Sequence, residues 1–170
     1  DVAVLNARMK EAGLLGVKSV MFAGTGEPLV HKKISDICVG AYQANLDYAF
    51  TTNGVLMLDG MGSPKPGLLG ATWIKVSLNA GDQETYAKVN RTNPKDWARV
   101  WNGIRGAVKR KGKCTIGVQA VVLPENVYEM RDLANLCIDA GVDYLVLKPY
   151  SQATFMLSHT YEKIDYAPMR

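Results

Sequence analysis

Apolar residues along this chain alternate between two spacings, and the pattern reads as helix and strand in unbroken succession. Short runs rich in Val, Ile, Tyr and Phe end in Gly, Thr, Asn or Pro, as buried strands do where they empty into loops. Between them, apolar positions recur every three or four residues, the signature of a helix that buries one face. Asp1 to Ala12 predicts a helix, stopped by Gly13 and Gly16, and Val17 to Ala23 predicts the first strand. Ile34, Ile37, Cys38, Ala41 and Tyr42 mark the apolar face of the next helix, and Asp47 to Thr51 the next strand. Leu56 to Met61 predicts a short helical turn, and the Gly- and Pro-rich run 62–67 a break inside the repeating pattern. Thr72 to Leu78 is a third strand, and Asp82 is placed to cap a short helix after it. Pro94 opens a helix whose inward stripe is Val100, Ile104, Ala107 and Val108. Cys114 to Leu123 is a fourth strand. Leu133, Leu136, Cys137 and Ala140 form a helical face that Gly141 ends, and Asp143 to Leu147 is a fifth strand. Such alternation predicts an α/β fold of parallel βαβ units.

Composition narrows the class without naming the chemistry. A chain of 170 residues with 48% hydrophobic content can bury one substantial core, so one domain is expected. No apolar run approaches a membrane span, and the amino terminus does not pattern as a signal peptide. Three widely spaced cysteines, Cys38, Cys114 and Cys137, exclude a disulfide framework and point to a reducing cytoplasm. Each lies in an apolar pattern and is expected to be a small buried hydrophobe rather than a metal ligand. The net charge of +4 is modest. Its basic cluster, residues 109–113, closes a helix, where cations complement the helix dipole. With no aromatic residues interleaved, nucleic acid is not an expected partner.

Candidate chemistry gathers at the strand ends, where backbone groups have lost their sheet partners and ligands bind in α/β proteins. Val20–Leu29 runs from an apolar strand into Gly24, Thr25, Gly26, Glu27 and Pro28. The two glycines allow a sharp turn and a close approach, while Pro28 stiffens the exit. The second strand ends in Thr51, Thr52, Asn53 and Gly54, and the third in Val76, Ser77, Leu78 and Asn79. Gln119 interrupts an apolar strand. It either points toward a ligand or satisfies a neighbouring backbone group. His31 and Arg91 read more readily as solvated or ion-paired surface groups, and Trp73, Trp97 and Trp101 as packing anchors.

In order and spacing, these strand ends resemble those of the radical S-adenosylmethionine (SAM) enzymes, which carry a GGEP loop, a TTNG segment and a V-S-L-D/N segment. The resemblance covers about Val17 to Tyr150. It implies an open, partial (β/α)6 barrel, TIM-like, whose first strand lies upstream of this sequence. Residues 1–150 form that core, and 151–170 an unassigned extension. The resemblance further implies that Gly24, Thr25, Gly26, Glu27 and Pro28 hold the SAM amino group, with Glu27 suited to a cation. Ser77 and Asn79, two apart on a strand, take the carboxylate and ribose. Thr52 and Asn53 join the same cavity, as does Gln119 in the first of its two readings. The backbone of Leu147, which ends the last strand, and of Lys148, which follows it, meets the adenine. An acidic substrate group is a further partner for Lys148, with an ordinary loop lysine the competing reading. A [4Fe-4S] cluster, reductive cleavage of SAM to a 5′-deoxyadenosyl radical, a small-molecule or peptide substrate and a flavodoxin- or ferredoxin-like reductant are also implied.

One departure stands against the resemblance. The C-x3-C-x2-C loop that holds the family's cluster is absent, and the sequence opens inside what reads as the following helix. The expectation is an amino-terminally truncated enzyme, inactive in radical chemistry as it stands. The alternatives are an ordinary (β/α)-barrel lyase or aldolase, and a SAM-binding module without a cluster.

Overall fold

Five parallel strands lie side by side in the order in which the chain makes them. The computed structural model describes residues 1–152 and 159–167, so much of the expected extension, 153–158 and 168–170, lies outside the described residues. The elements are α1 (Val2–Leu14), β1 (Ser19–Phe22), α2 (Ile34–Gln43), β2 (Asp47–Thr52), β3 (Trp73–Ser77), α3 (Gln83–Asn90), α4 (Lys95–Val108), β4 (Thr115–Val122), α5 (Met130–Ala140) and β5 (Tyr144–Pro149). Sequential order with helical crossovers, replaced between β2 and β3 by a loop and one 3-10 turn, is the pattern of a barrel wall, and the barrel is not closed: β1 and β5 are its two edges.

The pleat sorts side chains into two sets. Phe22, Tyr48, Phe50, Ile74, Val76, Ile116, Val118 and Ala120 turn toward the helices and join one core with Ile37, Ala41, Val100, Ile104, Leu133 and Cys137. Phe50, Ile74, Ile104, Ile116 and Leu133 have no exposed surface, and burial of each stabilises the fold by about 1.5–3 kcal/mol. The registers Ala49–Trp73–Thr115, Lys75–Gly117–Tyr144, Ser77–Gln119–Val146 and Val121–Lys148 build the opposite, inner face.

Four details depart from the sequence reading. Residues 56–61 form no helix: Leu58 bridges Pro64, and Asp59 holds a turn by accepting from the amides of Met61 and Ser63. A carboxylate that bonds nearby amides offers the backbone an alternative to helix. Tyr42 ends α2 on its solvent side, 79% exposed. Trp73 is half-buried on the inner face, not in the core, whereas Trp97 and Trp101 stack on each other beneath α3. Strand β5 continues through Pro149, so Lys148 joins Leu147 in the strand and does not belong to a following loop.

Candidate functional site

Strands β1, β2 and β3 are neighbours in the sheet, so their three terminal segments come together at its carboxyl edge. The loop 23–27 leaves β1 and enters a 3-10 turn, Pro28–Val30, of which Glu27 is the N-cap. The Glu27 carboxylate is surrounded by protein donors. Oε1 accepts from the Leu29 amide at 3.0 Å and from the Thr52 hydroxyl at 2.6 Å, and Oε2 accepts from the Asn53 amide at 2.7 Å. Charge-assisted bonds of this length are strong, so Glu27 ties the first loop to the end of β2. In the ligand-free protein Glu27 therefore positions the loop.

Thr52 and Asn53 are consumed in the same clamp. Thr52 is buried, and its hydroxyl also accepts from the Gly54 amide at 3.0 Å. The Asn53 side chain accepts from the Val55 amide at 3.0 Å. The Thr52 side chain is thus used within the protein, whereas the Asn53 side chain is exposed and keeps its NH2 free of partners among the described residues. Only one of the two loop glycines is required by the backbone: Gly24 has φ +145°, closed to other residues, whereas Gly26 shows no such angle. A Cβ built on Gly26 would meet no atom within 4 Å, so packing does not explain its missing side chain. Gly24, Thr25 and Gly26 are exposed, and the loop walls a cleft of about 400 Å³ with Leu5, Phe22 and the start of α2.

Ser77 ends β3 on the inner face, opposite Gln119 in register. Among the described residues, no hydrogen bond to either side chain is made, so both present polar atoms to the space beside the sheet. Gln119 satisfies no neighbouring backbone group among the described residues and lines a cavity of about 480 Å³ on the inner face. Asn79 does not share a strand face with Ser77. It lies past the strand end in the left-handed region, φ +59°. There its side chain accepts from the Val121 amide at 2.9 Å and donates to Asn90 at 3.1 Å. In effect the Asn79 amide extends the β3–β4 ladder by one rung. Asn126, fully buried, donates to the carbonyls of Asn79 and Val121 and accepts from the Leu123 amide. Asn90 donates to the Leu78 carbonyl.

Lys148 faces the inner cavity, while Leu147, one residue earlier on the pleat, points to the other side and is 46% exposed. Above them, the Tyr166 hydroxyl donates to the Val122 carbonyl and accepts from the Tyr150 amide, covering the tips of β4 and β5. His31 is exposed and accepts from the Lys33 amide; Arg91 caps α3 in the left-handed region and forms no ion pair among the described residues.

Inner-face residues Trp73, Lys75 and Tyr144 were not singled out by sequence motifs. The alternation Trp73, Lys75, Ser77 against Ile74, Val76 is the signal that marks them. Cys38, Cys114 and Cys137 are buried on or beside three different elements, and burial pushes each thiol up to about 11. Among the described residues, no three His, Cys, Asp or Glu side chains form a group able to hold a metal ion. No helix among them is long and apolar enough to cross a membrane.

Known proteins share this arrangement. The chain is 33% identical over 132 residues to a GTP 3′,8-cyclase of Rhodococcus opacus, a match covering 75% of this chain and 35% of that protein. It is 35% identical over 142 residues to a probable GTP 3′,8-cyclase of Methanosarcina mazei, covering 84% and 38%. The chain thus spans little more than a third of the length of these curated relatives. Among solved structures, Streptococcus suis SuiB bound to S-adenosylmethionine superposes with a TM-score of 0.72 at 20% identity, over 96% of this chain and 36% of that one. No family-level sequence profile matches the chain. The chain is similar to these radical SAM enzymes. Its GEP, TTNG and V-S-L-N segments lie on three adjoining strands, with Glu27 bonding the first to the second.

Proposed function

We propose that this chain is the SAM-binding core of a radical SAM enzyme, with the cofactor across the carboxyl ends of β1 to β5. The observation that carries this reading is the pairing of unexplained space with unpartnered polarity. Gly26 lacks a side chain although nothing in the protein would meet one, and Ser77 and Gln119 turn free polar atoms to the inner face. A nearby ligand accounts for both.

In this reading the exposed carbonyls of Gly24, Thr25 and Gly26 accept from the ammonium group of SAM, and Pro28 fixes the exit of their loop. Glu27, Thr52 and Asn53 hold that loop at its working distance from β2. Ser77 donates to the SAM carboxylate or ribose, while Asn79, pinned by Val121 and Asn126, sets the turn that ends β3. Gln119 bounds the cavity beneath. The backbone at Leu147 and Lys148 lies beside the adenine, and the Tyr150–Tyr166 contact shields it from water. Bound SAM, reductively cleaved, supplies hydrogen abstraction; the residues here bind, orient and exclude solvent.

A [4Fe-4S] cluster does not fit the cysteines of this chain, which are buried, protonated and on different elements, and no step is derived through them. A small-molecule or peptide substrate, a reductant protein and a cytoplasmic setting complete the proposal. GTP, named in the relatives, is one candidate substrate.

The test is a SAM titration by calorimetry. Gly26→Leu places its side chain in open space and should keep the wild-type melting temperature while losing measurable SAM binding. Ser77→Ala should weaken binding about tenfold, the loss of one hydrogen bond to a charged group. Equal SAM affinity in wild type and Gly26→Leu would sink the placement.

A further inference from the structure

The inner face carries a second feature that SAM binding does not use. On β3, Lys75 is half-buried one inner-face rung below Ser77, with its ammonium 5.8 Å from the centre of the Trp73 ring. Across the sheet its register partners are Gly117 and Tyr144. A Cβ on Gly117 would lie 2.0–2.4 Å from three atoms of the Tyr144 ring. That ring therefore lies flat on the glycine, filling the gap in β4 and reaching toward Lys75. The result is a lysine against the Trp73 ring, with the Tyr144 ring over its register neighbour Gly117, on the floor of the cavity of about 480 Å³ that Gln119 and Lys148 also line.

The charge balance of this cavity is one-sided. No carboxylate lines it, and neither Lys75 nor Lys148 forms an ion pair among the described residues. The inner-face acid on these strands, Asp47, opens β2 at the amino end and lines an adjoining cleft beside Ser19 and Met21, which meets this cavity at Thr72 and Trp73; Asp47 pairs with neither lysine. A half-buried ammonium with no counter-charge is costly to desolvate, and an anionic ligand offsets that cost. The flanking rings add apolar walls that select for a group with organic bulk attached to its charge.

We propose that the substrate carries an anionic group, a carboxylate or a phosphate, held by Lys75 in this cavity, with Trp73 and Tyr144 among its walls. Gln119 hydrogen-bonds the adjoining atoms, and Lys148 supplies a second cation nearer the strand tips. The inference rests on the SAM reading only for what lies above the cavity. Because Lys75 sits two residues before Ser77, the anion is anchored on the order of 7 Å below the rung that meets SAM. The hydrogen to be abstracted therefore belongs to a carbon several bonds from the anionic group, and substrates shorter than that span do not react.

The test uses the full protein and follows its tryptophan fluorescence, because Trp73 lines the cavity while Trp97 and Trp101 pack against each other away from it. Three probes are titrated: GTP for phosphate, an amidated tetra-glutamate peptide for carboxylate, and an amidated tetra-glutamine peptide as neutral control. SAM affinity is measured in parallel. One anionic probe should bind, its identity distinguishing phosphate from carboxylate, and the neutral peptide should not. Lys75→Met should weaken that probe about tenfold, Lys75→Arg should restore most of it, and SAM affinity should be unchanged in both variants. Lys148→Met should weaken it less, since Lys148 is more exposed. Binding of neither anionic probe, or equal binding by wild type and Lys75→Met, overturns the proposal. Failure of SAM itself to bind wild-type protein overturns the cofactor reading instead, and the anion titration still decides this one.

Discussion

Glu27→Gln separates a clamp from a ligand contact, because the two roles make opposite demands on the ligand-free protein. Three protein donors converge on the carboxylate, at 3.0, 2.6 and 2.7 Å. Glutamine offers one oxygen in place of two. If that oxygen takes the Oε1 position, it keeps Leu29 and Thr52, but its NH2 faces the Asn53 amide and the two repel. If the amide is flipped, Asn53 is served and the Leu29 amide meets a donor. Either way one backbone N–H loses its acceptor, and the surviving bonds lose their charge assistance. A hydrogen bond to a charged group contributes about 1.5–3 kcal/mol, so the variant should lose roughly 2–4 kcal/mol. For a chain of this size that corresponds to a melting temperature lower by about 5–12 °C. Thermal and urea unfolding without SAM, followed by far-UV circular dichroism, measure it. SAM affinity should fall as well, because the loop carbonyls are no longer held. Unchanged stability with lost SAM binding would refute the clamp and return Glu27 to direct contact with the ligand.

Other consequences follow from packing and charge. Gly117→Ala should cost about 1–3 kcal/mol, since its Cβ would overlap the Tyr144 ring, and Tyr144→Ala in the same chain should recover most of the loss; additive costs in a double-mutant cycle would contradict the stacked geometry. Asn126→Ala should destabilise by roughly 2–4 kcal/mol, leaving two buried carbonyls and the Leu123 amide without their side-chain partner, with urea midpoints as the readout. The Lys111 ammonium, and then the Ile116 amide at 2.7 Å, hold the Asp143 carboxyl below the ordinary carboxylate range. A carboxyl depressed on folding gives stability that is present above its unfolded value and lost as pH falls through the folded one. Asp143→Asn should therefore be less stable than wild type near neutrality, the gap closing as pH falls through the ordinary carboxylate range and below it; a gap independent of pH would refute the assignment.

The strand–helix alternation was legible because each strand's apolar run has a length and a stop signal of its own, as in Val20–Phe22 before Gly24. The parallel sheet followed from that alternation alone. Strand ends were legible too, since Gly24, Asn53, Ser77 and their neighbours break the apolar runs abruptly. What each end does was not. Glu27 looks like a cation site because sequence shows a carboxylate but not the Thr52 hydroxyl and Asn53 amide that close on it from the end of β2, nor the Leu29 amide of its own turn. Asn79 looked like a partner of Ser77 because spacing by two implies one strand face, and only the left-handed turn at Asn79 removes it from the strand. Asn126 and Asn90, which secure that turn, sit 47 and 11 residues away in the chain and carry no local signal. Trp73 was assigned to the core on size alone, whereas the period-two alternation with Ile74 and Val76 puts it on the inner face beside Lys75.

The most direct test of a radical SAM core is SAM cleavage by the protein made anaerobically from its complete coding region. After reduction with dithionite, 5′-deoxyadenosine and methionine are quantified by mass-resolved chromatography for wild type, Ser77→Ala and Gly26→Leu. The account expects 5′-deoxyadenosine from wild type, less from Ser77→Ala and none from Gly26→Leu at equal iron content. Reduced wild-type protein that binds SAM and leaves it intact, or cleavage indifferent to both substitutions, would contradict it.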